Sequence, residues 1–159
     1  MKKIFLVLIA IMFVAVGCGT TGNRNDSEII LFSYNYGDYS SGYYDFSVNL
    51  IDDKVYFSAK GMNGVELNIT NYELDKYTLS DIAKIINDNE IYKWNGFDKS
   101  DNDIFDGYSF SLRVTYVDGG EIKAHGYMKY PSNYDEAHEK LANYLESLAK
   151  EIQISQYNN

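Results

Sequence analysis

Apolar and polar residues alternate along two long stretches of this chain, and this alternation constrains the fold more than any other feature. The first stretch covers residues 29–70, with turn sequences at Asp52-Asp53 and Gly61-Met62-Asn63-Gly64. The second covers residues 108–128, with the turn sequence Asp118-Gly119-Gly120. Because successive side chains of a strand point to opposite faces, the pattern predicts half-buried antiparallel strands joined by tight turns. We expect a meander of four strands and, later in the chain, a two-stranded hairpin.

The apolar positions of the alternation predict which face of each strand is buried. They are Ile30, Phe32, Tyr34 and Tyr36 in the first strand, Tyr44, Phe46, Val48 and Leu50 in the second, Val55, Phe57 and Ala59 in the third, Val65, Leu67 and Ile69 in the fourth, and Tyr108, Phe110, Leu112, Val114, Tyr116, Ile122, Ala124, Gly126 and Met128 in the hairpin. The chain has 16 tyrosines, a residue that suits half-buried sheet surfaces. The composition therefore fits a β-rich domain.

Helical spacing appears between the meander and the hairpin and again after the hairpin. Thr78 and Asp81 are spaced as a capping box, and apolar residues at helical intervals follow through about Asn89. Residues 91–94 read as an extended stretch packed on the core. A final helix has the apolar stripe Tyr134, Leu141, Leu145, Leu148 and Ile152. The order ββββ-α-ββ-α predicts an α+β fold, with a single mostly antiparallel sheet of about six strands and two helices packed on one face.

The N-terminus has the pattern of an export signal. Lys2 and Lys3 precede an apolar run over residues 4–16, which suits a signal sequence better than a membrane span of about 20 residues. Ala15-Val16-Gly17-Cys18 then resembles the processing site of a bacterial lipoprotein. We expect a signal peptide over residues 1–17, an acylated Cys18 with a flexible tether over residues 18–27, and one domain over residues 28–155. The alternatives are an uncleaved anchor and an ordinary signal-peptidase site.

These features predict where the protein resides and which chemistries it lacks. Acylation would hold it at the outer face of the bacterial cytoplasmic membrane. Cys18 is the only cysteine, so its acylation would leave no thiol for a disulfide, a thiolate metal site or a nucleophile. The formal net charge of −9 argues against nucleic acid as a partner. No cofactor is expected beyond the covalent lipid.

An acidic loop is the first candidate site. Its carboxylates, which could offer oxygen ligands to calcium, are Asp98, Asp101, Asp103 and Asp106. Their spacing does not fit the EF-hand loop, because a start at Asp101 places Phe105 at a ligand position. A solvated turn rich in Asp and Asn explains the same residues.

Tyrosines near the first turn are the second candidate. Tyr39 and Tyr43 could contact a cell-wall glycan or an envelope protein, because exposed aromatic rings stack on sugars and anchor protein partners. Packing of these rings within the domain is the alternative.

Catalytic and metal-binding patterns are weak. Of the two histidines, we expect His125 on the polar face of its strand and His138 beside the apolar stripe of the last helix, so a shared metal site is not predicted. The sequence has no Gly-x-Ser-x-Gly elbow and no phosphate loop. We therefore expect a non-enzymatic protein.

Four segments together carry a resemblance to known proteins. They are residues 60–67 (KGMNGVEL), 91–97 (IYKWNGF), 106–112 (DGYSFSL) and 126–131 (GYMKYP). With them the chain resembles a family of uncharacterised lipoproteins from low-GC Gram-positive bacteria, over about residues 29–148. The resemblance implies a lipoprotein with one α+β domain and an acylated Cys18, and it carries no assigned activity. We expect a membrane-anchored exported protein that binds an unknown ligand or serves the envelope structurally. A protein inhibitor or sensor at the cell surface, or a small hydrolase, are the alternatives.

Overall fold

The computed structural model describes residues 24–101 and 103–157. Seven strands, two helices and a short 3-10 helix follow one another along the chain. The strands are β1 (Ile29–Asp38), β2 (Gly42–Ile51), β3 (Lys54–Met62), β4 (Asn68–Leu74), β5 (Phe97–Ser100), β6 (Ser109–Tyr116) and β7 (Glu121–Tyr127). The helices are α1 (Tyr77–Asp88) and α2 (Tyr134–Tyr157), and the 3-10 helix is Ile91–Trp94. The α+β class and the predicted order of the longer elements are confirmed.

All seven strands form one sheet in the order β4-β3-β2-β1-β6-β7-β5. Every pairing is antiparallel except that of β5 with β7. The first strand is therefore central, paired with β2 on one side and β6 on the other. The sheet has one strand more than the six expected, because β5 lies in the segment predicted as an acidic loop.

The core lies between one face of the sheet and the helices. Its strand residues include Phe32, Tyr34, Phe46, Phe57 and Phe110, which are almost fully buried. The helices contribute Ile82 and Ile86 from α1 and Leu141, Leu145 and Ile152 from α2. Side chains of the opposite strand parity, such as Asn35, Ser47 and Arg113, are exposed or half-buried. We call that second side of the sheet the open face.

The structure corrects several boundaries. A β-bulge between Ile29 and Leu31 turns Ile29, rather than Ile30, into the core. The fourth strand starts at Asn68, so Val65 and Leu67 belong to the connection before it. Residues 91–94 form a 3-10 helix instead of an extended stretch. Helix α1 begins at Tyr77, whose N–H donates to the Asp75 carboxylate, and Thr78 is buried rather than capping.

The direction of β1 divides the molecule into two ends. We call the end where the chain enters β1 the entry end. It includes the β6–β7 turn, because the N–H of Val117 donates to the carbonyl of Glu28 at 2.9 Å. The opposite end, where β1 leaves the sheet at Asp38, is the distal end. Ten residues of β1 separate the two ends by about 30 Å.

The entry segment is bound to the domain. The Asn25 amide and the Ser27 hydroxyl both donate to the Asp118 carboxylate, the latter at 2.8 Å. The last part of the expected tether thus lies against the β6–β7 turn. Cys18 and the expected signal peptide lie outside the described residues. No helix within the described ranges is long and apolar enough to cross a membrane.

Candidate functional site

Three connections meet at the distal end of the sheet. They are the β1–β2 turn (residues 39–41), the β3–β4 connection (residues 63–67) and the loop before β6 (residues 103–107). Strand pairing brings them together, since Gly37 lies opposite Tyr43 on one side and Ser109 on the other. Both sequence-predicted candidates, the tyrosine-rich turn and the acidic loop, are therefore neighbours at this end.

The distal end carries several exposed apolar side chains. Tyr39 is 68% exposed and Phe105 is 93% exposed. Ile104, next to Phe105, and Met62, at the end of β3, are exposed as well. An exposed phenylalanine leaves apolar surface in contact with water and adds nothing to the core, so its position suggests a contact surface. Phe105 was not predicted as a contact residue from the sequence, although a single aromatic residue among the acids of this loop was a visible signal.

The turn that presents Tyr39 is held by Asp38. Its carboxylate accepts hydrogen bonds from the N–H groups of Ser40 and Ser41, at 2.8 and 2.6 Å, and from the Ser40 hydroxyl. The N–H of Ser41 and then the Ser40 hydroxyl lower the pKa of Asp38 to about 2. This turn therefore has a fixed shape, with Tyr39 at its tip.

The acidic loop is organised by ion pairing and by a tyrosine. The Asp101 carboxylate lies 2.9 Å from the Lys129 ammonium, which lowers the pKa of Asp101. The Tyr127 hydroxyl accepts from the N–H of Gly107 and donates to the carbonyl of Ile104, both at 2.8 Å. These contacts fix the loop against the end of β7.

The four candidate calcium ligands are not brought together. Asp98 belongs to β5 and pairs with His125 on the open face, whereas Asp101 faces Lys129. Within the described ranges, no group of three or more His, Cys, Asp or Glu side chains is placed to hold a metal ion.

A histidine lies among tyrosines beneath the distal end. In α2, His138 places Nδ1 2.7 Å from the Tyr34 hydroxyl and Nε2 3.0 Å from the Tyr108 hydroxyl. Its ring stacks on Tyr134 at 5.1 Å between centroids and meets Tyr36 edge-on at 4.7 Å. Burial lowers the pKa of His138, so the ring is neutral near pH 7. Burial raises the pKa of Tyr34 and also that of Tyr108, the latter to about 12.

A carboxylate continues this network to the surface. The buried Tyr36 hydroxyl donates to Glu146 of α2 at 2.6 Å. Burial, and then the hydrogen bond and charge of Glu146, raise the pKa of Tyr36. Tyr36 also stacks on Tyr44 of the neighbouring strand at 5.1 Å between centroids.

Glu146 and Tyr44 line a groove of about 380 Å³ between α2 and the β3–β4 connection. Ser147 also lines this groove, whereas His138 is not part of its lining. The groove therefore combines a carboxylate with an aromatic ring, while the half-buried imidazole of His138 lies among tyrosines.

The two predicted aromatic contacts and the two histidines occupy different surroundings. Tyr39 is exposed at the distal tip, and Tyr43 is half-buried on the open face. His125 is exposed on the open face, as expected from its strand parity, and His138 lies on the opposite side of the sheet beside the core. The sequence placed His138 beside the apolar stripe, but its hydrogen-bond partners are Tyr34 of β1 and Tyr108, which directly precedes β6, and neither had a local signal.

Comparison of the chain with protein-family models, with curated proteins and with solved structures gave no match.

Proposed function

We propose that this chain is a lipid-anchored exported protein that binds an envelope protein through the distal end of its sheet. One observation carries the proposal: the chain enters β1 at one end of the sheet, and the exposed Tyr39 and Phe105 lie at the other. An acylated Cys18 would place the membrane on the entry side. The distal end would then point away from the lipid.

The chemistry of the distal end favours a protein partner over a glycan. Aromatic residues and methionine are enriched in protein interfaces, and the distal end exposes Tyr39, Phe105 and Met62. Ile104 adds a branched aliphatic side chain, which offers a sugar no hydrogen bond. The fixed turn at Asp38 and the fixed loop at Tyr127 reduce the entropy lost on binding.

The anchor is tested by replacing Cys18 with alanine in the full chain. Labelling with an alkyne-bearing fatty acid should show a labelled wild type of the size expected after removal of residues 1–17, and an unlabelled variant that keeps these residues. A wild type that takes up no label, or that keeps residues 1–17, would support one of the two alternatives and contradict the proposal.

The contact surface is tested by photo-crosslinking in living cells. A benzophenone amino acid replaces Tyr39 or Phe105, and Tyr77 serves as the matched control because it is 64% exposed at the entry end. We expect both distal positions to capture one and the same envelope protein, and the control position not to capture it. Capture of glycan alone, or equal capture at Tyr77, would contradict the proposed surface.

A further inference from the structure

The groove between α2 and the β3–β4 connection has a different chemistry from the exposed loops. Its lining includes Tyr44, Glu66, Glu146 and Lys150, so it has two acidic side chains and one basic side chain. Its volume of about 380 Å³ is sufficient for a small organic group. The β3–β4 connection of the distal end forms one wall of this groove, but the groove involves neither the anchor nor the exposed Tyr39 and Phe105, so its chemistry goes beyond the proposed function.

Glu146 is positioned but not neutralised. The buried Tyr36 hydroxyl donates to its Oε1 at 2.6 Å and orients the carboxylate from below. Among the described residues, no Lys, Arg or His lies within ion-pair distance of Glu146, although Lys150 is one helical turn away. One carboxylate oxygen therefore remains available at the surface of the groove.

An aromatic ring stands next to this carboxylate. Tyr44 is half-buried beside Tyr36 and Phe46, with ring centroids 5.1 and 6.0 Å away, and it lines the groove. Burial, and then the charge of Glu146, raise the pKa of Tyr44. A carboxylate beside an aromatic ring is a pairing that attracts organic cations, through charge and through the ring quadrupole.

We infer that this groove binds an alkylammonium group, with Glu146 as the counter-charge and Tyr44 as the aromatic wall. The amide side chains of Asn143 and Gln153 line the same groove, and Gln153 already donates to the carbonyl of Glu66 at 3.2 Å. The ammonium group can belong to a free amine or to a lysine side chain.

The test uses the full chain, isotope-labelled and purified in a non-ionic detergent. Butylammonium chloride is titrated while amide resonances are followed by NMR, and 1-butanol serves as the uncharged probe of similar size. We expect saturable shifts at Asn143, Ser147 and Gln153 with butylammonium and not with 1-butanol. A blocked Gly-Lys-Gly peptide and its norleucine analogue form a second arm. Tighter binding of the lysine peptide than of butylammonium would assign the groove to lysine side chains. Equal or weaker binding of the lysine peptide would assign the groove to free amines.

Three variants separate this site from the general attraction of an acidic protein for cations. Glu146→Gln keeps an acceptor for Tyr36 and should weaken binding about fivefold. Glu139→Gln makes the same charge change at an exposed position of α2 outside the groove and should leave binding unchanged. Lys150→Gln removes the competing cation and should strengthen binding about twofold.

The variants also make the outcome decisive. Equal effects of Glu146→Gln and Glu139→Gln, or an absence of saturable shifts at tens of millimolar amine, would overturn the inference. If Glu146→Gln proved unfolded, the opposite effect expected for Lys150→Gln would still decide, because unchanged or weaker binding in that variant contradicts the inference.

Discussion

The hydroxyl oxygen of Tyr34 lies 2.7 Å from Nδ1 of His138, so a histidine of the long helix is fixed to the central strand of the sheet. On the other side of the ring, Nε2 lies 3.0 Å from the hydroxyl of Tyr108. A neutral imidazole donates through one nitrogen and accepts through the other, and two tyrosine hydroxyls can satisfy both roles. The neutral form of His138 therefore suits its surroundings better than the charged form.

This arrangement predicts a loss of stability in mild acid. Burial lowers the pKa of His138 below its ordinary value of 6.5, so the unfolded chain takes up a proton at a higher pH than the folded chain. The contribution is complete above about pH 6.5 and is lost as the pH falls through the lowered pKa. Urea unfolding, followed by the fluorescence of the buried Trp94, should show a declining free energy of unfolding over this interval.

Two variants isolate the role of this histidine. His138→Phe should be less stable at pH 8, by about 1–3 kcal/mol, because the Tyr34 and Tyr108 hydroxyls each lose one hydrogen-bond partner, but its stability should not decline in mild acid. His125→Gln, at an exposed position on the open face, should decline as the wild type does. A His138→Phe variant with the wild-type pH profile would contradict the assignment.

The hydrogen bond from Tyr36 to Glu146 should stabilise the fold. Tyr36 is 4% exposed and its hydroxyl donates to the carboxylate at 2.6 Å, so Tyr36→Phe should cost about 1–2 kcal/mol. Tyr39→Phe removes a hydroxyl at an exposed position and should cost less than about 0.5 kcal/mol. Denaturant unfolding of both variants measures the difference, and equal costs would show that the Glu146 contact adds nothing.

A methyl group at Gly126 should disrupt the end of the hairpin. A Cβ at this position would overlap the carbonyl oxygen of Lys129 and the ring of Phe110. Gly126→Ala should therefore cost about 3 kcal/mol. Gly119→Ala is the control: apart from its chain neighbours, no atom would lie within 4 Å of an added Cβ, and only the positive φ of 84° opposes the substitution, at about 1–2 kcal/mol. Thermal melting compares the two, and an equal loss would mean that β7 shifts to accept the methyl group.

Asp118 should protect the entry segment from proteolysis. Its carboxylate accepts hydrogen bonds from Asn25 and Ser27, directly after the trypsin site at Arg24. Asp118→Ala should speed cleavage after Arg24 severalfold, because the segment must leave the domain to enter the protease. Asp53→Ala, in the β2–β3 turn at the same end, should not change the rate. Mass spectrometry of timed digests identifies the bond that is cut. Unchanged cleavage in Asp118→Ala would show that these hydrogen bonds do not protect the entry segment.

The period-two alternation was sufficient to predict six strands and the buried face of most of them. It missed β5 because this strand has only four residues, three of them polar, and pairs in parallel with β7. Such pairing depends on distant chain segments, and an exposed edge strand needs no apolar alternation. The bulge at Ile29 was likewise invisible, since Ile29, Ile30 and Leu31 are all apolar and any of them could face the core.

The candidate site was predictable only in part. Tyr39 and the acidic loop were identified from composition, and the structure places them at one end of the sheet. The groove at Glu146 was not foreseen, because its aromatic wall comes from β2 and its carboxylate from α2, about 100 residues later. Only the packing of the helix across the sheet brings Tyr44 and Glu146 together.

The central position of β1 has a mechanical consequence for a protein anchored at its entry end. If a partner held the distal end while the membrane moved, the pull would run along β1. The ladders to β2 and β6 extend along nearly the whole strand on both sides. Tension in this direction would load the hydrogen bonds of both strand pairings together, in shear, instead of breaking them one after another. The same strand that organises the fold would thus be the element that transmits force between partner and membrane.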